Sequence, residues 1–416
     1  MRRYESYKDS GVEWLGDVPS HWESFPLFVQ AKISSITNHI DKELLSVYLD
    51  RGVVRFSDVD EKRTNVTSFD LSKYQLVRKG NLVLNNQQAW RGSVGVSSYE
   101  GIVSPAYLIL ELSNKFDPHY ANYLFRNGSM VSHYLIASKG VGTIQRNLYW
   151  GNLRRAPIFI PPLSEQQKIA QFLDEKTAKI DQAVDLAEKQ IVLLKEHKQI
   201  LIQNTVTRGL NPDVPLKDSG VEWIGQVPEH WEVKKLKFVL TLSNKKEESK
   251  NSNKRYIGME NIESFTGKIN DIPLIAEGIA NSFYKDEILF GKLRPYLAKS
   301  YLADFDGICS TEFLVYRSTK VLNNRFALNI FLSYGFIDAV NASTYGSKMP
   351  RANAEFISNM FLAIPPLSEQ KQIIDYLDKQ TAKIDQAIAL KTAHIEKLKE
   401  YKSVLINDVV TGKVRV

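Results

Sequence analysis

Apolar residues recur at heptad spacing in two stretches of the chain, and both stretches predict long helices. One stretch follows Pro161-Pro162 and the other follows Pro365-Pro366, and neither contains glycine or proline over about 40 residues, or about 60 Å of helix. A lone helix of that length would leave its apolar stripe in water, so we expect the two to pair as an antiparallel coiled coil. The predicted seam consists of Leu173, Ile180, Val184, Ile191, Leu194, Leu201, Leu377, Ile384, Ile388, Ile395, Leu398 and Leu405.

Polar residues interrupt this seam at Thr177 and Lys198, and again at Thr381 and Lys402. Such residues either control the register of a coiled coil or contact another subunit, and we favour register control. At the start of each helix, Ser164 and Ser368 are suitable N-caps.

The rest of the chain alternates short β-branched and aromatic runs with Gly- and Asn-rich turns, which predicts mixed β-sheet with short helices. Runs such as 81–84, 106–110, 287–290 and 313–316 are typical of strands. Helical patterns occur near 118–137 and 324–341. The sequence therefore predicts two α+β domains.

The chain is an internal duplication. KDSGVEWLGDVPSHWE at 8–23 returns at 217–232 with 13 of 16 positions identical, and the segment that begins with PPLSEQ at 161–184 returns at 365–388 with 16 of 24 identical. The period of 204–209 residues is too long for a solenoid. The predicted order is one domain (1–160), a long helix (161–209), a second domain (210–364) and a second long helix (365–416).

Composition narrows the class of protein. Hydrophobic residues make up 43% and charged residues 24% of the chain, as in ordinary globular proteins. The net charge of +7 is compatible with a polyanionic partner without requiring one. The single cysteine, Cys309, excludes a disulfide framework and a Cys-based zinc site, and we expect it to be a small buried residue. Without a bilayer-length apolar run or a signal peptide, we expect a cytoplasmic protein with no membrane partner.

An ungapped offset of 206 aligns residues 80–110 with 286–316 and pairs polar side chains of different chemistry. Asn86 then meets Lys292, Gln88 meets Arg294, and Trp90 meets Tyr296. Positions two apart on a strand share a face, so each domain would present two polar side chains beside an aromatic ring. Amides suit adenine, whereas Lys and Arg suit guanine, although ordinary solvated side chains near a turn would give the same pattern.

Further candidate DNA contacts are basic or polar residues in or beside loops. Gly-Thr or Gly-Ser followed by basic residues suits a loop that binds phosphates or base edges, and a plain flexible loop is the alternative. Lys299 is a candidate phosphate contact. These candidates are Arg91, Lys139, Gln145, Arg146, Lys299, Lys348 and Arg351.

Signatures of catalysis are missing from the sequence. It contains no phosphate-binding loop of the G-x-x-x-x-G-K-[ST] type, no H-E-x-x-H and no G-x-S-x-G. No glycine-rich turn follows a strand as a dinucleotide or S-adenosylmethionine site would need. We therefore predict no catalytic residue, metal or cofactor.

Several motifs together resemble one family along essentially the whole chain. They are GVEWLG-VP-HWE, WRG-VGVSSYEGIVSPAY at 90–107, ILFGKLRPYLAK at 288–299, GICSTEFLV at 307–315 and the doubled I-PPLSEQ. In these the chain resembles the specificity subunit of type I restriction–modification systems.

The resemblance implies two target-recognition domains, each reading one half of a bipartite, asymmetric double-stranded DNA target. It also implies that the helices separate the domains and dock two methyltransferase subunits, which restriction subunits join. The alternative is a self-contained DNA-binding nuclease or a structural bridging protein.

Overall fold

The structure is a computed structural model that describes residues 2–59, 70–141, 145–274, 278–344, 346 and 348–416. Contacts divide the chain into two units, each of which includes part of both long helices. The first unit contains Met1–Leu186 and Ala393–Val416, and the second contains Ala187–Thr392.

Most strands of the first unit are short, and its helices before the long one span ten residues or fewer. The strands are β1 (Tyr7–Asp9), β2 (Asp17–Pro19), β3 (Glu23–Pro26), β4 (Ala31–Ser34), β5 (Leu45–Tyr48), β6 (Gly52–Arg55), β7 (Gln75–Val77), β8 (Leu82–Asn85), β9 (Val94–Val96), β10 (Gly101–Val103), β11 (Tyr107–Leu112), β12 (Ser138–Val141), β13 (Gln145–Leu148) and β14 (Pro157–Ile160). The helices are α1 (Leu27–Gln30), α2 (Pro118–Arg126), α3 (Gly128–Ala137), α4 (Trp150–Leu153) and the long α5 (Leu163–Arg208), which continues into the second unit.

The second half of the chain repeats this order with some changes. Its strands are β15 (Leu216–Asp218), β16 (Gln226–Pro228), β17 (Glu232–Lys235), β18 (Leu240–Ser243), β19 (Lys246–Glu248), β20 (Tyr256–Ile257), β21 (Ile279–Phe283), β22 (Ile288–Gly291), β23 (Ser300–Leu302), β24 (Gly307–Cys309), β25 (Phe313–Ser318) and β26 (Phe361–Ile364). Its helices are α6 (Asn324–Leu332), α7 (Tyr334–Ala342), α8 (Ala354–Asn359) and the long α9 (Leu367–Val410), which ends in the first unit.

Each unit is built around an antiparallel four-stranded sheet. The strand order is β4-β11-β8-β9 in the first unit and β18-β25-β22-β23 in the second. In register, Leu82 of β8 faces Leu110 of β11, and Phe290 of β22 faces Leu314 of β25. Most of the aliphatic and aromatic residues of the central strands β8, β11, β22 and β25 are buried, and these residues form much of the core. The α+β class predicted from the sequence is confirmed.

The units differ in a second layer of strands. The first unit has two separate pairs, β5-β6 and β10-β7, whereas the second has a four-stranded sheet of order β19-β21-β24-β20. Cys309 ends β24 and is buried as expected, and burial raises the pKa of its thiol to about 12.

The opening segment of each copy is fixed to the start of a long helix by one carboxylate. In the first unit, Glu165 accepts hydrogen bonds from Trp22 Nε1 at 3.1 Å and from the Tyr4 hydroxyl at 2.6 Å, and it lies 2.8 Å from His21 Nε2. Glu369 accepts from Trp231 Nε1 at 3.1 Å and lies 2.8 Å from His230 Nε2 in the second unit. Both tryptophans are buried, which gives the repeated motif a structural role.

The long helices begin two residues earlier than the N-cap prediction requires. Helix α5 begins at Leu163, and the amides of Glu165 and Gln166 donate to the Pro162 carbonyl. Because α9 likewise begins at Leu367, both Ser164 and Ser368 lie inside the first turn, and the prediction that they are N-caps is wrong.

The predicted seam residues lie on the covered side of the two long helices. Five of them are half-buried and seven are buried, and none is exposed. Within the first unit Lys402 Nζ lies 2.6 Å from Asp181 Oδ1, and within the second Lys198 Nζ lies 2.6 Å from Asp385 Oδ1. Asp181 and Lys198 of α5 thus pair with Lys402 and Asp385 of α9, in reverse order along the chain, so the helices run antiparallel. The two lysines that interrupt the seam thus pair across it, which favours register control, whereas the Thr177 hydroxyl contacts the Tyr123 hydroxyl and the Asp174 carbonyl.

The Lys198–Asp385 pair should stabilise the second unit more than its counterpart stabilises the first. The side chains of Lys198 and Asp385 are 12% and 33% exposed, against 31% and 57% for Lys402 and Asp181. Asp385→Ala would leave a largely buried ammonium without its main acceptor, so we expect a loss of about 1–2 kcal/mol. Asp181→Ala, the matched control, should cost less than about 1 kcal/mol because that pair is more exposed.

Hydrogen exchange of the helix amides around each pair measures both effects. Equal protection losses in the two variants would contradict a register role that depends on burial.

Candidate nucleic-acid interface

In the first unit, the segment between β8 and β9 carries the predicted polar positions in a turn rather than on a strand. Strand β8 ends at Asn85, and a single 3-10 turn follows at Ala89–Arg91. The expectation that Asn86 and Gln88 share a strand face is therefore wrong, because the Gln88 amide donates to the Asn85 carbonyl and closes a turn. The Asn86 Oδ1 atom is buried without a hydrogen-bond partner among the described residues.

Trp90 lies at the centre of that turn, flanked by two guanidinium groups. Its Nε1 donates to the Gln87 carbonyl at 3.0 Å, which fixes the ring. The Arg91 and Arg146 Cζ atoms lie 4.6 Å and 5.6 Å from the ring centroid. A guanidinium near an aromatic face is attracted by the ring electrons, so these contacts are favourable. The structure thus brings the predicted residues Trp90, Arg91 and Arg146 together.

The hairpin of β12 and β13 brings the second predicted loop to the first. The Leu148 amide donates to the Asn86 carbonyl at 2.9 Å, and Lys139 Nζ lies 5.8 Å from the Tyr149 ring centroid. Gln145 begins β13, but its side chain and residues 142–144 lie outside what the structure describes.

In the second unit, the corresponding segment between β22 and β23 is held in a strained conformation. Arg294 has φ 50° and Ala298 has φ 45°, in the left-handed region that non-glycine residues rarely adopt. Between them lies the 3-10 turn Pro295–Leu297, with Pro295 buried and Tyr296 exposed. Strain of this kind persists only where the surroundings hold it, and it concentrates at functional sites.

Backbone contacts from the second loop hold the strained segment. The Arg294 amide donates to the Pro350 carbonyl at 2.8 Å, and the Ala352 amide donates to the Lys292 carbonyl at 2.9 Å. Leu293 and Arg351 form an isolated β-bridge. The structure thus brings Lys292, Arg294, Tyr296 and Arg351 into one surface.

Arg351 is paired with an acidic residue that the sequence analysis did not identify. Its Nε and Nη2 atoms lie 3.1–3.2 Å from the two carboxylate oxygens of Glu312. This pairing raises the pKa of the Arg351 guanidinium. The sequence did contain one sign that Glu312 differs between the copies: the offset of 206 aligns this acidic residue with the neutral Ala106.

Two other lysines have different surroundings. Lys299 is half-buried, and its Nζ donates to the Met259 carbonyl at 2.6 Å, so it holds a neighbouring turn of its own domain. Lys348 is exposed in the bend before Pro350.

The two surfaces are built alike although their side chains differ. Ala89–Arg91 and Pro295–Leu297 are separated by the same offset of 206, with Trp90 and Tyr296 at the centres. The carbonyls of the aligned residues Asn86 and Lys292 both accept from the backbone of the following loop. The same backbone arrangement therefore carries two amides and an indole in the first unit, and two cations and a phenol in the second.

The described residues contain neither a candidate metal site nor a candidate membrane span. No three His, Cys, Asp or Glu side chains among them are grouped so that they could hold a metal ion. None of the helices described is both long enough and apolar enough to cross a bilayer.

Comparison with known proteins gives the class of this fold and site. Residues 47–191 and 228–400 match the family described as type I restriction modification DNA specificity domain. The chain belongs to this family, the non-catalytic specificity subunits of type I restriction–modification systems.

Individual relatives match over most of the chain. The chain is 23% identical to the putative type I restriction enzyme MjaX specificity subunit of Methanocaldococcus jannaschii, over 97% of this chain and 96% of that protein. It is 24% identical to the type I restriction enzyme EcoDI specificity subunit of Escherichia coli, over 67% of this chain and 69% of that protein. A chain from a structural study of complex assembly and conformational transition of the type I R-M system has the same fold, with a TM-score of 0.69, 15% identity, and coverage of 95% of this chain and 99% of that one.

Proposed function

We propose that this chain reads a bipartite, asymmetric DNA sequence, one half-site with each unit, as a cytoplasmic component of a type I restriction–modification complex. The observation that carries the proposal is the repeated loop surface, which has one backbone construction and two sets of side chains. Identical surfaces would suit a palindrome, whereas different surfaces suit two unlike half-sites.

The chemistry of each surface suits base edges in the major groove. The Gln88 amide can pair with adenine N6 and N7, and the Trp90 ring can contact a thymine methyl group. The Asn86 amide would have to turn its buried Oδ1 outward to read an adenine in the same way. Lys292 and Arg294 carry cations, which favour guanine O6 and N7. Arg91, Lys139, Arg146 and Lys348 would supply contacts to phosphates, which position the protein without reading sequence.

The long helices suit the spacing of two half-sites. Half-sites read from one face of B-DNA lie about 34–36 Å apart, or a multiple of that distance. Helices α5 and α9 contain 46 and 44 residues, enough to cover that distance at about 1.5 Å per residue. Cross-helix pairs such as Lys198–Asp385 would keep their register fixed.

The helices also offer a repeated surface for two methyltransferase subunits. Leu186 and Val404 are exposed in the first unit, and their repeat equivalents Leu390 and Ile200 are exposed in the second. Equivalent apolar pairs on helices suit two copies of one partner, and restriction subunits would join that core.

Sequencing that detects methylated bases tests the proposal. A cell without other methyltransferases would express this chain with its methyltransferase subunit, and its genome would be mapped for modified bases. We expect one asymmetric motif of two short specified halves, separated by a fixed number of unspecified base pairs. Expression of the methyltransferase subunit alone is the control and should leave the genome unmodified. A continuous or palindromic motif would contradict the proposal.

A further inference from the structure

The Arg351 guanidinium in the second unit is bound to a carboxylate along one of its edges. Its other edge is directed away from that carboxylate. Glu312 binds the edge formed by Nε and Nη2. A guanidinium has five N–H donors, so the edge formed by Nη1 and Nη2 keeps donors for a second acceptor pair. The Arg351 side chain is 49% exposed, and that of Glu312 is 24% exposed.

Glu312 is itself fixed to the loop that carries the predicted base contacts. Its carbonyl accepts from the Lys292 amide at 2.9 Å, and its own amide donates to Ser310 Oγ at 3.2 Å. The carboxylate thus has a defined position relative to Lys292 and Arg294. An arginine tied to it shares that position and loses little further freedom when it binds a base.

The first unit has no acidic residue at the position that corresponds to Glu312. There the Asn86 amide faces the Ala106 carbonyl, the counterpart of the Lys292–Glu312 contact, and Ala106 has no polar side chain. Arg146 of the following strand lies over the Trp90 ring. An acid at the position of Glu312 is therefore a feature of the second surface and not a requirement of the scaffold.

We propose that Glu312 is a specificity-determining positioning residue that holds Arg351 so that its Nη1–Nη2 edge reads a guanine in the second half-site. An end-on guanidinium fork matches guanine O6 and N7. The inference rests on the proposed function, because it requires that the second unit read DNA. It adds a reader and the residue that orients it to the surface of Lys292 and Arg294.

Binding of the assembled methyltransferase to a panel of duplexes tests the inference. The panel holds the cognate site, every single-base variant of both half-sites, and an unrelated duplex, all at one salt concentration. Arg351→Ala should reduce discrimination about tenfold at one guanine position and weaken binding to every duplex. Glu312→Gln should reduce discrimination at the same position about fivefold, while its affinity for the unrelated duplex stays equal or rises because a negative charge is lost.

Three further variants separate positioning from a purely structural role. The double variant Glu312→Gln/Arg351→Ala should discriminate no worse than Arg351→Ala, since Glu312 acts through Arg351. Glu312→Asp keeps the charge on a shorter side chain and should restore part of the discrimination. Glu355→Gln removes a nearby exposed carboxylate that does not pair with Arg351, and should leave discrimination unchanged.

The outcomes distinguish the two proposals. Unchanged discrimination in Glu312→Gln, or losses at different positions in the two single variants, would overturn the role of Glu312. A loss spread over both half-sites would show misfolding of the loop and would also count against it. If the unaltered complex shows no base preference in a second half-site, the proposed function itself fails.

Discussion

Arg294→Ala should remove about 1–3 kcal/mol of discrimination at one base pair of the second half-site. The Arg294 side chain is exposed at the tip of the segment between β22 and β23, beside Tyr296. Its left-handed backbone is held by the Arg294–Pro350 hydrogen bond and the Leu293–Arg351 bridge. Alanine keeps a Cβ atom and so carries the same backbone strain, which makes the substitution a test of the guanidinium alone.

The measurement compares the affinity of the assembled methyltransferase for the cognate duplex and for single-base variants at fixed salt. Arg325→Ala is a matched control. Arg325 lies at the start of α6, pairs with Asp378 of α9 and takes no part in the loop surface. It should leave base preference unchanged. If Arg294→Ala weakens cognate and variant duplexes equally, Arg294 contacts the DNA backbone. If it weakens neither, Arg294 is an ordinary solvated residue.

Local pattern was sufficient to predict much of the fold. The runs at 81–84, 106–110, 287–290 and 313–316 each overlap a strand, and the helical patterns near 118–137 and 324–341 are the helix pairs α2–α3 and α6–α7. Heptad spacing located the covered face of α5 and α9. These features depend on periodicity within one segment, which a single sequence displays directly.

Details that depend on distant partners could not be predicted in this way. Ser164 was a reasonable N-cap, but the Pro162 carbonyl starts the helix, and the buried Gln166 side chain binds the Asp117 amide and the Lys115 carbonyl. The contact of the Lys299 ammonium with the Met259 carbonyl, 40 residues away, is a second example. In both cases the partner is far away in sequence or is a backbone atom that any residue supplies.

The candidate interface was predictable in composition but not in geometry. The offset of 206 paired Asn86 with Lys292 and Trp90 with Tyr296, and the two 3-10 turns have that same separation. Their placement on a strand face was wrong, because both strands end before the paired residues begin. The Glu312–Arg351 pair joins residues 39 positions apart through a side-chain fork, which no local pattern reveals.

The repeated construction of the two units makes their independence the central claim. Each unit has its own four-stranded sheet and its own loop surface. If each surface reads one half-site, the specificity of one unit should be replaceable without any change in the other.

Exchange of the first domain tests this claim most directly. Residues 20–160 would be replaced by the equivalent domain of another specificity subunit with a different known motif, and the genome of cells expressing the hybrid with its methyltransferase would be mapped for modified bases. We expect one half of the motif to become that of the donor, while the other half and the number of unspecified base pairs stay the same. A change in both halves, or no change in either, would contradict the account.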